Sequence, residues 1–383
     1  MEDEEVIARI QRDLDEDVFE GRYDAESKRK FVFISILIAV SLFTMLISIT
    51  LGAVDIPLID VINVFMHPIL PQVFAEPSMD YYNEFIFRGR MPRVFMVALT
   101  GFSLGLAGMI MQGLLRNPLV SPFTLGVSTA ASFGAALSIM FGPILFGAAV
   151  NLKYNVLGVN FYVDDLLQVL FAFLMALASI GIILLMTRGK DISRSTVILS
   201  GVVISYLFQA GIMACKYFSD EDELREITMW IMGSFTGSTW GGVLILVPIV
   251  VICCIALIST SMDINALAAG DDVASSLGVD VTKLRRDGLV ISTMVTAACL
   301  SFTGVIGFIG LMAPHICRMI IGNDARYLSV CSGLMGIAIL SLSDLFCRLI
   351  IRPGELPVGI VLYIIGGMFF VWMVGNRRWS KRL

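Results

Sequence analysis

The chain has 383 residues, of which 57% are hydrophobic and only 15% charged, with a mean hydropathy of +0.85. A soluble domain carries about 25% charged residues, and no soluble core of this length hides so much apolar surface, so the solvent is lipid. The net charge of −5 reflects an acidic N-terminus and offers no basic surface for nucleic acid, and two histidines are too few for a His-based metal cluster.

Residues 1–30 are polar and acidic. They read as a cytoplasmic tail, partly disordered or a surface helix. Their length before the first apolar run argues against a signal peptide. Residues 31–383 form the membrane domain. A crossing helix takes roughly 20 apolar residues, and the runs here are continuous rather than alternating, which points to an all-α polytopic protein and against a β-barrel. The first spans are 31–53 and 94–115. The 36 residues 117–152 carry no charge and hold a third span, about 122–142, and a Gly/Asn-rich loop. Spans four and five are 166–187 and 195–215. A short helix near Trp230 and a break at 233–242 precede span six, which ends near Thr260. A polar stretch, 263–286, separates it from span seven at about 287–303. Gly304, Gly307 and Gly310 interrupt the chain before a short eighth span ending near Arg318. Spans nine and ten are about 328–350 and 356–375. The seven cysteines form no C-x-x-C pair and read as small buried hydrophobes.

About ten spans put both termini on one side. With the termini in the cytoplasm, 19 of the 27 Lys and Arg are cytoplasmic. Five of the remainder flank spans on the outside against this bias: Arg88, Arg90, Arg93, Arg348 and Arg352. A weak internal repeat relates Gly108 and Asn117-Pro118 to Gly304 and Ala313-Pro314, so the spans read as two related halves.

The chain lacks a G-x-x-x-x-G-K-[ST] phosphate loop: Gly189-Lys190 is followed by Asp191. The only acidic residue inside a span is Asp344, spaced i, i+4 from Arg348 as a local ion pair requires. Ion coupling therefore has little to work with, and energy is expected from another subunit. The stretch after span six suits such a partner. Asp263 to Asn265 is expected to cap a short helix bearing Leu267 and Ala268. Gly270 breaks it. Asp271 and Asp272 open a second helix that presents Val273, Ala274 and Leu277 and ends at Gly278.

Several motifs occur in order: R-M-P-R at 90–93, R-N-P-L at 116–119, S-P-x-x-L-G at 121–126, W-I-M-G-S-F at 230–235, N-A-L-A-x-G at 265–270, A-x-x-L-G at 274–278, G-x-I-G-F-I-G-L-x-A-P-H at 304–315 and E-L-P-V-G at 355–359. Together they resemble the iron-siderophore, haem and cobalamin permeases of ATP-binding-cassette importers (FecCD type), from about residue 31 onward. The resemblance implies a homodimer of ten-helix subunits in the plasma membrane, two ATPase subunits in the cytoplasm and an extracytoplasmic substrate-binding protein. It makes Asn265, Leu267, Gly270, Asp271, Ala274, Leu277 and Gly278 an ATPase-coupling segment. Asn117, Leu119 and the region of Ser195 become a cytoplasmic gate, and Arg90, Arg93 and Arg348 become docking residues for the binding protein. His315 reads as a helix-end contact. Residues lining the path are expected to be uncharged. No catalytic residue, metal or cofactor is expected. The alternative readings are an ion-coupled secondary transporter of small molecules and, with no supporting constellation, a membrane-bound enzyme or structural subunit.

Overall fold

Backbone polar groups find no water in lipid, so a crossing segment must close its own hydrogen bonds. The computed structural model, which describes residues 2–52, 54–147, 149, 152–156, 159–186 and 194–375, shows the apolar runs doing so as helices. Helix α1 (Glu2–Thr50) is unbroken, so the backbone of the acidic tail continues into the first span as one helix. Neither a proline nor a glycine pair interrupts it. The expected ends of spans one and four, residues 53 and 187, lie outside the described residues, as do residues 188–191 and 377–382.

A connecting segment follows. It holds α2 (Leu58–Met66), whose Asp60 is buried and accepts hydrogen bonds from the Ser78 amide (2.9 Å) and hydroxyl (2.6 Å). Then α3 (Tyr81–Glu84) passes through a π-helical turn (Phe85–Arg90) into α4 (Met91–Leu115). Arg116 adopts a left-handed conformation that ends α4, and a 3-10 turn (Pro122–Leu125) leads into α5 (Val127–Phe146). The loop expected after it contains a hairpin of β1 (Lys153–Val156) and β2 (Val159–Tyr162), paired antiparallel with Lys153 opposite Tyr162. Helices α6 (Val163–Met186), α7 (Arg194–Phe218), α8 (Glu221–Met232) and α9 (Trp240–Ser259) come next. They are followed by the short α10 (Ser261–Ala268) and α11 (Asp271–Ser276), then α12 (Val281–Thr303), α13 (Ile309–Ile321), α14 (Ala325–Ile350) and α15 (Val358–Gly375).

Seven of these helices are long and apolar enough to cross a membrane. Helices α12, α13 and α15 bring the number to the ten expected. The charges of Lys283, Arg285, Arg286 and Asp287 lower the hydropathy of the first turns of α12. At 1.5 Å per residue, the 13 residues of α13 reach only about 20 Å, and the glycine-broken segment before it completes the crossing. Gly233 and Gly304 both have positive φ (68° and 67°), and a Cβ on either would strike the other segment's backbone. The Ser234 amide donates to the Thr303 carbonyl (2.9 Å), so the ends of α8 and α12 lock together at the two breaks read from sequence. The repeat does not extend to local structure: Pro118 lies in a turn after α4, whereas Pro314 lies inside α13.

Helix α4 is the centre of the bundle. Lipid tails remove the hydrophobic drive between helices, so close backbone packing has to replace it. Gly101, Gly105 and Gly108 line one face of α4. A Cβ on Gly101 would sit 2.6 Å from the Gly336 carbonyl oxygen of α14. One on Gly105 would strike the Ser332 carbonyl, and one on Gly108 the Gly310 carbonyl of α13. We expect Gly105→Ala to destabilise the protein by about 1–3 kcal/mol, the usual range for overpacking. Gly367→Ala on α15, where a Cβ meets nothing within 4 Å, should cause no loss. Unfolding in detergent micelles checks both.

Candidate functional site

At one end of the bundle, the five arginines expected to run against the charge bias all have partners. Helix α1 ends there with its last carbonyls unpaired, at the negative end of its dipole. Arg348 donates to the carbonyls of Ser48 (3.1 Å) and Leu51 (3.2 Å) and to the Ser48 hydroxyl. Arg90 donates to the carbonyls of Ile49, Thr50 (2.8 Å) and Val54. Both side chains are buried, Arg90 at 5% and Arg348 at 3% exposure. Arg93 on α4 reaches Asp344 on α14 through Nε (3.1 Å) and Nη2 (2.8 Å), and Glu355 through Nη1 (2.7 Å). Arg348 Nε lies 3.1 Å from the other Asp344 oxygen in the expected i, i+4 ion pair. Its N–H is not aimed at that oxygen, so this contact is Coulombic. Arg88 pairs with Glu84 (2.8 Å) and Arg352 with Asp55 (2.8 Å). The Arg352 hydrogen bond holds the Asp55 carboxyl below the usual carboxylate range.

The three arginines read as docking residues thus stand together, but Arg90 and Arg348 face inward. Arg93, beside the part-exposed Glu355, stands nearest the surface.

At the other end, α10 and α11 form the two short helices expected there. Gly270 (φ 132°) separates them and Gly278 (φ 88°) ends the second. Leu267 and Ala274 are fully buried and anchor the segment, while Val273 and Leu277 (69% exposed) project from it. One detail differs from the sequence reading. Helix α10 starts at Ser261, directly after α9, so Asp263 and Asn265 lie inside it and do not cap it. The Asn265 side chain bonds across to the start of α14 instead. Its Nδ2 donates to Asp324 Oδ1 (2.9 Å) and its Oδ1 accepts from the Ala325 amide (2.8 Å). Hydrogen bonds from Arg326 and then Asn265 hold the Asp324 carboxyl well below the usual range, so it stays anionic.

A second tie was not read from the sequence. Arg285, buried in the first turns of α12, donates to both Asp271 oxygens (2.9 and 2.8 Å) and to the Leu114 carbonyl at the end of α4 (3.2 Å). The run Lys283 to Arg286 was the only signal, and nothing in it singled out Arg285. Arg116 Nη1 lies 3.9 Å from the same Asp271 carboxylate.

Asn117 follows immediately. Its Oδ1 accepts from the Leu119 amide (2.9 Å) and tightens the turn, leaving the Leu119 side chain 56% exposed. Ser195 is exposed in the first turn of α7. The stretch after Asn117 packs on α7, where Gly201 faces the Thr124 carbonyl. A cavity of about 700 Å³ opens between these parts and is lined by Gln112, Arg116, Asn117, Asn265, His315 and Arg318 among others. Arg318 donates to Gln112 (2.9 Å), and His315 packs against Phe369. All seven cysteines are buried.

A model of the FecCD transport family matches residues 38–376. The hemin transport system permease protein of Yersinia pestis is 33% identical over 289 residues, covering 76% of this chain and 82% of the relative. The cobalamin import system permease protein of Halobacterium salinarum is 33% identical over 288 residues, covering 75% and 72%. A solved structure, an inward-facing conformation of a transporter assigned to the metal-chelate type of ABC transporter, superposes with a TM-score of 0.73 at 27% identity. That match covers 89% of this chain and 98% of the solved one.

The arginine–carboxylate cluster makes a stability prediction. Asp344→Ala leaves the buried Arg348 and the largely buried Arg93 without their shared carboxylate, and breaking a buried pair in this way costs about 3–5 kcal/mol. Asp55→Ala, at an exposed pair, should leave the melting temperature in detergent essentially where it is.

Proposed function

The chain belongs to the FecCD transport family, and from that premise we propose that two copies form the channel of an ATP-driven importer. The cargo is an iron chelate or a cobalamin-like compound. In this reading both termini lie in the cytoplasm, residues 1–30 form a tail, and a separate ATPase subunit supplies the energy. The observation that carries it is the built coupling segment. Its buried residues hold it to the bundle, its apolar tip at Val273 and Leu277 is left for a partner, and Asp271 and Asn265 tie it to α4 and α14. An ATPase that moves the tip moves the ends of two spans. Asp344, the acidic residue that an ion-coupled mechanism would use, is taken up by Arg93 and Arg348.

Asn117, Leu119 and the start of α7 near Ser195 serve as the cytoplasmic gate, close to the coupling segment through Arg116 and Asp271. The outer cluster serves as the docking face for a substrate-binding protein. Arg93 meets an acidic partner directly, and Arg90 and Arg348 do so once the backbone from Ser48 to Val54 releases them. Exposed ion pairs contribute only about 0.2–1 kcal/mol each, but a cationic cluster also steers encounter within a Debye length of about 8 Å.

Two experiments test this reading. The double variant Val273→Asp, Leu277→Asp should lose at least tenfold in affinity for the ATPase subunit while folding normally, since both side chains are exposed; retention of the ATPase on pull-down would count against the coupling role. A cysteine introduced at position 119 in a background without other cysteines should cross-link two copies in a nucleotide-dependent way. The absence of a cross-link in every nucleotide state would remove Leu119 from the dimer axis.

A further inference from the structure

One cavity departs from the uncharged path that the sequence led us to expect. It has a volume of about 340 Å³, lies between α5, α7 and α15, and is lined by Ser128, Thr129, Ser132, Gln209, Lys216 and Tyr363 among others. The Thr129 hydroxyl donates to the Gly126 carbonyl (3.0 Å) and the Ser132 hydroxyl to the Ser128 carbonyl (2.9 Å), so both donors are used locally. The Ser128 hydroxyl, the Gln209 amide, the Lys216 ammonium and the Tyr363 hydroxyl have no hydrogen-bond partner among the described residues. No carboxylate lines the cavity, and among the described residues none pairs with Lys216.

An ionisable group on a membrane-spanning helix is costly and, where it faces a cavity, marks a substrate or ion pathway. Lys216 is near the outer end of α7, and a long side chain there has the alternative of reaching out to the headgroups. Here it borders a cavity whose other free polar groups can all donate, and which holds no carboxylate to oppose an anion. Resting on the importer reading above, we propose that this cavity contacts the cargo and that the cargo is an anionic, oxygen-rich chelate. Its carboxylate or catecholate oxygens meet Lys216, with Gln209 and Tyr363 donating beside it. The cavity is small for a whole chelate, so it receives one charged edge. Lys216 then discriminates by charge.

The test is ATP-driven uptake into proteoliposomes by the complete transporter with its own ATPase and binding protein. The probes are ferric citrate, which is anionic, and ferrichrome and cyanocobalamin, which carry no net charge. The wild type should take up ferric citrate. Lys216→Gln should raise its half-saturation concentration by roughly tenfold or more, the effect of losing one opposed charge at close range, and Lys216→Arg should restore it. Uptake of ferric citrate that is unchanged in Lys216→Gln would overturn the proposal, as would a wild type that carries only the neutral compounds. Uptake of none of the three would overturn the importer reading itself, and this proposal with it.

Discussion

The backbone-to-backbone approach of α4 to α14 and α13 is the contact on which the rest of the molecule depends. In lipid an apolar side chain gains nothing by leaving its solvent for another helix, so helices hold together where small residues let main chains meet. Gly101 against Gly336, Gly105 against Ser332 and Gly108 against Gly310 leave no room for a single methyl group. Both ends of the molecule are then built on this fixed pair. Arg93 of α4 meets Asp344 of α14 at one end. At the other, Arg285 ties the short helices α10 and α11 to the last turn of α4, and Asn265 ties them to the first turn of α14. A displacement of the two short helices therefore acts on a stiff element that spans the bilayer.

Charge placement follows from the same economy. Arg90 and Arg348 run against the positive-inside tendency if the termini are cytoplasmic, and they satisfy carbonyls that α1 leaves unpaired where it ends. Their burial makes them part of the architecture first. Arg93, held by Asp344 and by the part-exposed Glu355, lies nearer the surface.

Much of this was legible in the sequence because lipid leaves few alternatives. Long apolar runs become helices, and Gly233, Gly304, Gly270 and Gly278 mark breaks that the backbone takes with positive φ. The Asp344 and Arg348 pair followed from helical spacing alone. What was not legible depends on tertiary contact. Asn265 looked like a cap because its type favours caps, but α10 begins four residues earlier and its amide serves a different helix. Arg285 gave no sign of its partners, since Asp271 and Leu114 lie in other elements. The hairpin of β1 and β2 and helix α2 are too short to form a crossing run, so nothing in the apolar pattern marks them as elements. Lys216 follows directly on the expected end of span five, where nothing in the sequence singles it out, and only the cavity beside it gives it a meaning.

On the proposed reading, this chain works as a pair driven by a separate ATPase through the segment at 263–286. Native mass spectrometry of the complex, purified from its own membranes in mild detergent, tests that claim most directly. Two copies of this chain with two ATPase subunits are expected, both ATPase subunits being lost when the segment's exposed tip is blocked. A single copy without an ATPase, in a preparation that still transports along an ion gradient, would contradict it.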